Sequence, residues 1–231
     1  MKDLFTLLEF APATAALFFT EEGHFLFIHR DKQTSETVSK YLRTPQVVQA
    51  FTDISLDTGY LPEGVVRAGS RRGVPWFARF IPPGRHTLQL VLQERVEPVR
   101  VRLPALVFVA FGAADGRGAS ARICALKGRS FDPGAPAFHA PLPNASGTGA
   151  VCWGANDKYP AVPENAAAIW QLYLHTPFND HHAGGRSKKH PGDVRRTLNE
   201  RAGLDRPYPV GDLVAMDISV DRFIESATGG G

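Results

Sequence analysis

Cysteine is scarce in this chain of 231 residues: Cys124 and Cys152 are the only two. That is too few for a disulfide framework and is the usage of a reducing compartment. Long apolar runs are missing as well. No stretch approaches the ~20 residues needed to span a bilayer, and Asp3 and Glu9 interrupt any signal-peptide apolar region in the first ten residues. The expectation is a cytoplasmic protein without membrane contact. Nor is there a charge excess, with 26 Lys+Arg against 23 Asp+Glu and a net charge of +3. The basic residues are scattered, which argues against specific nucleic-acid binding. The local clusters Arg71-Arg72, Arg186 with Lys188-Lys189, and Arg195-Arg196 read as solvated faces. His175, His181, His182 and His190 show no ligand spacing, so no metal site is expected.

What is abundant is glycine and proline, 22 and 18 residues, in a chain that is 43% hydrophobic. Many turns and few long helices follow. Residues 15–20 and 24–30 flank a Glu-Glu-Gly turn, and their aromatic and β-branched side chains favour a sheet and predict a hairpin. Residues 34–51 are ambiguous between short helix and strand, and Gly64 to Gly73 reads as a connection. Strands are expected at 76–81, 88–92, 99–103, 106–111 and 121–126, with turns at Pro82-Pro83-Gly84, Glu94 to Pro98, Pro104 and Gly112 to Gly118. This is an antiparallel meander without βαβ alternation. Pro163 then opens a helix whose Ala166, Ile169, Trp170 and Tyr173 fall on one stripe, and Pro177 stops it. A second, polar helix is expected from Asp193 to Ala202, ending at Gly203. The fold class is therefore α+β, an antiparallel β-meander followed by helices. It divides into an N-terminal β-rich extension (1–60), a core (61–205), and a C-terminal segment (206–231) ending in a flexible glycine tail.

The two cysteines differ. Cys124 sits in the alternating run ARICAL and reads as a small buried hydrophobe. Cys152 closes the segment Ala140–Gly154, APLPNASGTGAVCWG, eight residues after Asn144. Pro143 fixes φ ahead of Asn144, while Gly147 and Gly149 permit conformations that bulkier residues resist. The segment is built to turn sharply and return, setting a side-chain amide beside a thiol. A thiol that carries an acyl group needs a donor for the oxyanion formed at its carbonyl, and an asparagine amide is neutral, directional and unable to take the nucleophile's proton.

Pro143-Asn144 followed by Gly149-Ala-Val-Cys152 resembles the active-site frame of ubiquitin-conjugating enzymes, the UBC superfamily. There a His-Pro-Asn turn precedes, by the same spacing, the cysteine that holds ubiquitin as a thioester; the family's His is Leu142 here. The similarity continues through Leu61-Pro62, the run Gly73–Gly84 (GVPWFARFIPPG), Leu103–Phe108 (LPALVF), Ala125-Leu-Lys127, Val151-Cys-Trp-Gly154, Trp170 and Phe178-Asn-Asp-His-His182. This ordered set resembles the divergent bacterial UBC-like proteins known as PRTRC system protein B, of ParB-related and ThiF-related gene cassettes. The resemblance implies a UBC-like fold and a modifier thioester on Cys152, with Asn144 stabilising the intermediate on discharge. It implies as partners a ThiF-like activating enzyme, a ubiquitin-like modifier protein, and a JAB-type metalloprotease in the same pathway. No metal or organic cofactor is expected, since ATP is used by the activating partner.

His181 and His182, with Asp180 alongside, are the candidate base or acceptor-orienting groups, although adjacent loop side chains are expected to diverge. Asp157 and Lys158 either tune an incoming amine or cap a turn. Trp76 and Trp170 read as core aromatics, and Trp153 as core or partner surface. Two rival readings stand beside conjugation: a UBC-like scaffold that binds the modifier or activating enzyme without carrying a thioester, and a papain-like thiol hydrolase suggested by Cys152-Trp153. The latter places its cysteine at a helix start.

Overall fold

The computed structural model describes residues 15–21, 23–30, 34, 36–47, 60–71, 74–112, 119–154 and 159–229. The loop at 113–118, residues 48–51, Asp157, Lys158 and the end of the glycine tail lie outside them. The chain divides into two compact units, Met1–Gly59 and Tyr60–Gly231.

In the first unit, β1 (Ala15–Phe19), β2 (Phe25–Arg30) and β3 (Thr37–Leu42) form an antiparallel sheet in that order. The predicted hairpin is present, with Ala15 opposite His29 and Phe19 opposite Phe25. Part of the ambiguous 34–51 stretch resolves as β3, which pairs along β2 from Thr37–Arg30 to Leu42–Phe25.

The second unit is built on an antiparallel sheet. Its strands are β4 (Val65–Arg71), β5 (Val74–Ile81), β8 (Ala105–Gly112), β9 (Ala119–Leu126), β10 (Pro136–His139) and β11 (Ala215–Ser219), in the order β11-β10-β9-β8-β5-β4. β4 occupies the Gly64–Gly73 stretch expected to be a connection; Val65 starts it and Arg71 pairs with Val74 of β5. β5 pairs directly with β8, because the intervening β6 (Gly84–Leu92) and β7 (Arg95–Leu103) leave the sheet as a separate two-stranded ribbon. The simple meander is corrected in this respect. The ribbon reverses at Gln93 (φ 46°) and Glu94 (φ 65°), two left-handed residues matching the twist of a tight hairpin. The expected Glu94–Pro98 turn is therefore shorter, and Pro98 lies inside β7 opposite Gln89.

β8 explains the architecture from its sequence. ALVFVAFG is buried from Ala105 through Ala110, so both faces of the sheet are covered. Leu106, Phe108 and Ala110 join one apolar cluster with Ile169, Trp170 and Tyr173 of α1 (Ala166–His175). Ala105, Val107 and Val109 join another with Val220, Phe223, Ile224 and Ala227 of α3 (Val220–Ala227). The predicted stripe on α1 is buried as expected, after a 3-10 turn at Pro163–Asn165. α2 (Val194–Glu200) starts at Asp193, whose carboxylate accepts from the Arg195 amide, and the chain leaves it through Gly203 in the left-handed region.

The C-terminal segment is integral to this unit. It supplies β11 at the sheet edge and α3, which closes the second face. The sequence hides this helix because its apolar positions alternate with Asp221, Arg222 and Glu225, so the stretch reads as polar. Cys124 is fully buried, and burial drives its thiol far above the ordinary range. Trp170 is a core residue as read. Trp76 is only half-buried, packed at the margin of the second cluster with the Arg67 guanidinium over its ring.

Candidate functional site

The segment from Pro143 to Trp153 is held to the sheet by β9. Ile123 donates its amide to Gly149 O at 2.9 Å, and Val151 donates to Ala121 O at 2.9 Å. Gly149 sits at φ +79°, and a Cβ there would lie 2.5 Å from Ile123 O and 3.0 Å from the Phe223 ring. Only glycine fits that approach. Inside the loop, Ala145 pairs with Val151, Ser146 and Gly149 close a short turn, and the Cys152 amide donates to Asn144 O at 2.8 Å. The spacing of eight residues is thereby converted into proximity. Asn144 and Cys152 line one open cleft of about 250 Å³ with Trp153, Gly154, Thr176, Pro177, Asn179 and His181.

Asn144 adopts φ 59°, the left-handed conformation that Asn tolerates. Its turn is held at four backbone polar groups. The buried Tyr173 hydroxyl donates to Pro143 O at 3.2 Å, the Asn144 amide donates to His181 O at 2.8 Å, Asn144 O accepts from Cys152, and Arg186 donates to Ala145 O at 2.6 Å. The residue is 4% exposed. Its Nδ2 donates to Pro177 O at 2.8 Å, which sets the amide orientation because a carbonyl only accepts. Leu142 is fully buried in the first cluster. The turn thus forms with an apolar residue at this position and takes its polar support from Tyr173 and Arg186.

Cys152 is the partly exposed cysteine of the pair. It lies outside any helix, in an irregular stretch leading to Gly154, which is not the helix-start placement of a papain-like thiol. Beneath it Trp153 is buried, its ring packed edge-on against Phe108 and Tyr173 at 6.2 and 6.1 Å between centroids. Of its two readings, core is the one observed.

His181 and His182 are exposed on the loop after α1. Their rings do not diverge; they lie 3.9 Å apart at 36°, because His182 sits at φ 57° and folds back on its neighbour. Partial desolvation first, then His181 and Arg186, hold the His182 imidazole below its ordinary range. The His181 amide donates to Asn179 Oδ1 and its carbonyl takes the Asn144 amide, so this loop is tied to the Asn144 turn.

Two residues at the site were not singled out for it by the sequence. Tyr173 is visible only as part of the α1 stripe, and its hydroxyl is driven well above the usual phenol range by burial. Arg186 lies in a basic cluster that reads as surface, yet is 5% exposed. No sequence signal separates it from Lys188 and Lys189.

A family model described as Prokaryotic E2 family D matches residues 37–216. That is well over half of the chain, and the chain belongs to this family. No curated protein and no solved structure matches it.

Proposed function

We propose that this prokaryotic E2 family D member is a conjugating enzyme of UBC-like fold that carries a ubiquitin-like modifier as a thioester on Cys152, in the manner of the PRTRC system protein B group. One observation carries the reading: a partly exposed cysteine shares an open cleft with an asparagine whose turn is held by hydrogen bonds at Pro143 O, the Asn144 backbone, Asn144 Nδ2 and Ala145 O. A ThiF-like activating enzyme would supply the charged modifier, and a JAB-type metalloprotease would act in the same pathway. ATP is spent by the activating partner, and no metal or organic cofactor is assigned to this chain.

Loading is transthioesterification. The Cys152 sulfur attacks the carbonyl carbon of the modifier's thioester on the activating enzyme; a C–S bond to Sγ forms, the older C–S bond breaks, and the released thiolate takes up a proton. In discharge an acceptor nucleophile adds to the same carbonyl, negative charge collects on its oxygen, and collapse expels the Cys152 thiolate. One N–H of the Asn144 amide is committed to Pro177 O. We assign the second N–H to the developing oxyanion. His181, which lines the cleft beside the neutral-biased His182, receives the nucleophile's proton.

The test is incubation with the activating enzyme, modifier and ATP, followed by electrophoresis with and without thiol. A reducible adduct present in the native chain and lost in Cys152→Ala is expected. With a partner that demonstrably adenylates the modifier, no adduct means that this reading fails, leaving the scaffold role. Peptide hydrolysis without ATP would favour the thiol-hydrolase reading.

A further inference from the structure

Behind the Asn144 turn, Arg186 is a buried cation without a carboxylate partner among the described residues. Its Nη2 donates to Ala145 O at 2.6 Å, its Nη1 meets His139 Nδ1 at 2.8 Å, and its Nε is buried without a partner. Burying a guanidinium on neutral acceptors is costly. Its cation is weakened first by that burial and is supported by Tyr173. Tyr173 holds the other end of the same turn at Pro143 O. The two side chains therefore grip the peptide units on either side of Asn144, one from α1 and one from the loop beyond it. A guanidinium has five donors and no acceptor, so His139 can hold it only through an unprotonated Nδ1.

We propose that Arg186 is a positioning residue for the Cys152 chemistry, clamping the Asn144–Cys152 turn from behind, with neutral His139 as its anchor on β10. The proposal rests on the conjugating reading for its consequence, but the clamp itself is a property of the free chain. Protonation of His139 sets two cations against each other and releases the anchor. Burial and Arg186 oppose that protonation, while Asp217 on β11 favours it. Cys124, opposite His139 on β9, stays a neutral thiol. The turn consequently loosens on the acid side.

Amide hydrogen exchange across residues 144–152, measured on the full chain from about pH 7.5 to about pH 5.5 and expressed relative to the intrinsic amide rate at each pH, tests this without any partner. In Arg186→Met, exchange in this segment is expected to be about tenfold faster than in the native chain, with β5 and β8 unchanged. Arg186→Lys, which keeps the charge and one donor, falls between them and serves if the methionine variant does not fold. His139→Asn places a carbonyl oxygen near the Nδ1 position, so it keeps the protection but loses the extra acid-side acceleration of the native chain. Exchange within about twofold of native in Arg186→Met, or acid-side acceleration persisting in His139→Asn, overturns the clamp. In the conjugation assay, Arg186→Met is expected to slow discharge about tenfold while Cys152 still loads, with partial rescue by lysine. If Cys152 never loads in the native chain, the conjugating reading fails while the exchange result still decides the clamp.

Discussion

Gly147 and Gly149 are two residues apart in the same loop, and the structure gives them opposite requirements. Replacing Gly149 with alanine forces an L-residue into φ +79°, at about 1–2 kcal/mol. It also places a methyl 2.5 Å from Ile123 O. That oxygen is backbone and cannot swing away, so the loop must move off β9. The movement strains the 2.9 Å bond from the Ile123 amide to Gly149 O, whose loss leaves buried groups unmade at about 1–3 kcal/mol. The same methyl presses on Phe223 at 3.0 Å, in the helix that closes the second face. Together these give about 3 kcal/mol or more of destabilisation. In a unit of this size that is a fall of roughly 6–12 °C in Tm. At Gly147 an added Cβ meets nothing within 4 Å. Gly147→Ala should lie within about 0.5 kcal/mol of the native protein, or be stabilised by up to about 1 kcal/mol through the unfolded chain. Urea and thermal unfolding of the two variants, with iodoacetamide labelling of Cys152 to follow the loop, read out the contrast. Equal stability of Gly149→Ala and the native chain, or a Gly147→Ala as damaging as Gly149→Ala, would refute the account of how this loop is held.

Tyr173→Phe keeps the ring among Phe108, Trp153, Trp170 and Phe178 but strands Pro143 O, so a loss of about 1–3 kcal/mol is expected in chemical denaturation; an unchanged midpoint would show that the hydroxyl does not support the turn. Asn144→Ala is expected to slow discharge of the thioester by about 100-fold or more with loading retained, read in single-turnover assays. Loss of loading in parallel would assign Asn144 to folding of the loop instead. His86 and His139 are both held below the ordinary imidazole range, His86 by burial and His139 by burial and then Arg186. Protons therefore bind the unfolded chain first, so stability is fully present above about pH 6.5 and is lost as pH falls through and below that value. A Tm that is flat or rises between about pH 7 and pH 5 contradicts this, since the depressed carboxylates of Asp193 and Asp212 act lower, below about pH 4.

Local chemistry made much of this protein readable before its structure was known. The strand runs from Trp76 to Leu126 announce themselves by β-branched and aromatic content, and α1 by a stripe that tertiary burial then uses. The Pro143-Asn144 turn and the difference between Cys124 and Cys152 were equally legible, because a turn and an alternating strand are written in neighbouring residues. What nearest neighbours could not supply was pairing at long range. β5 skips the β6–β7 ribbon to join β8, a choice made by which faces can be covered and not by chain order. α3 looks polar until β8's second face is there to receive Phe223 and Ile224. Arg186 looks like its lysine neighbours until folding buries it against Ala145 O and His139, contacts across 41 and 47 residues of chain. The sequence by itself determined the candidate thiol, the turn and the spacing between them. Only the tertiary structure decided what holds that turn in place, because buried hydrogen bonds form between groups that share a space and not a segment.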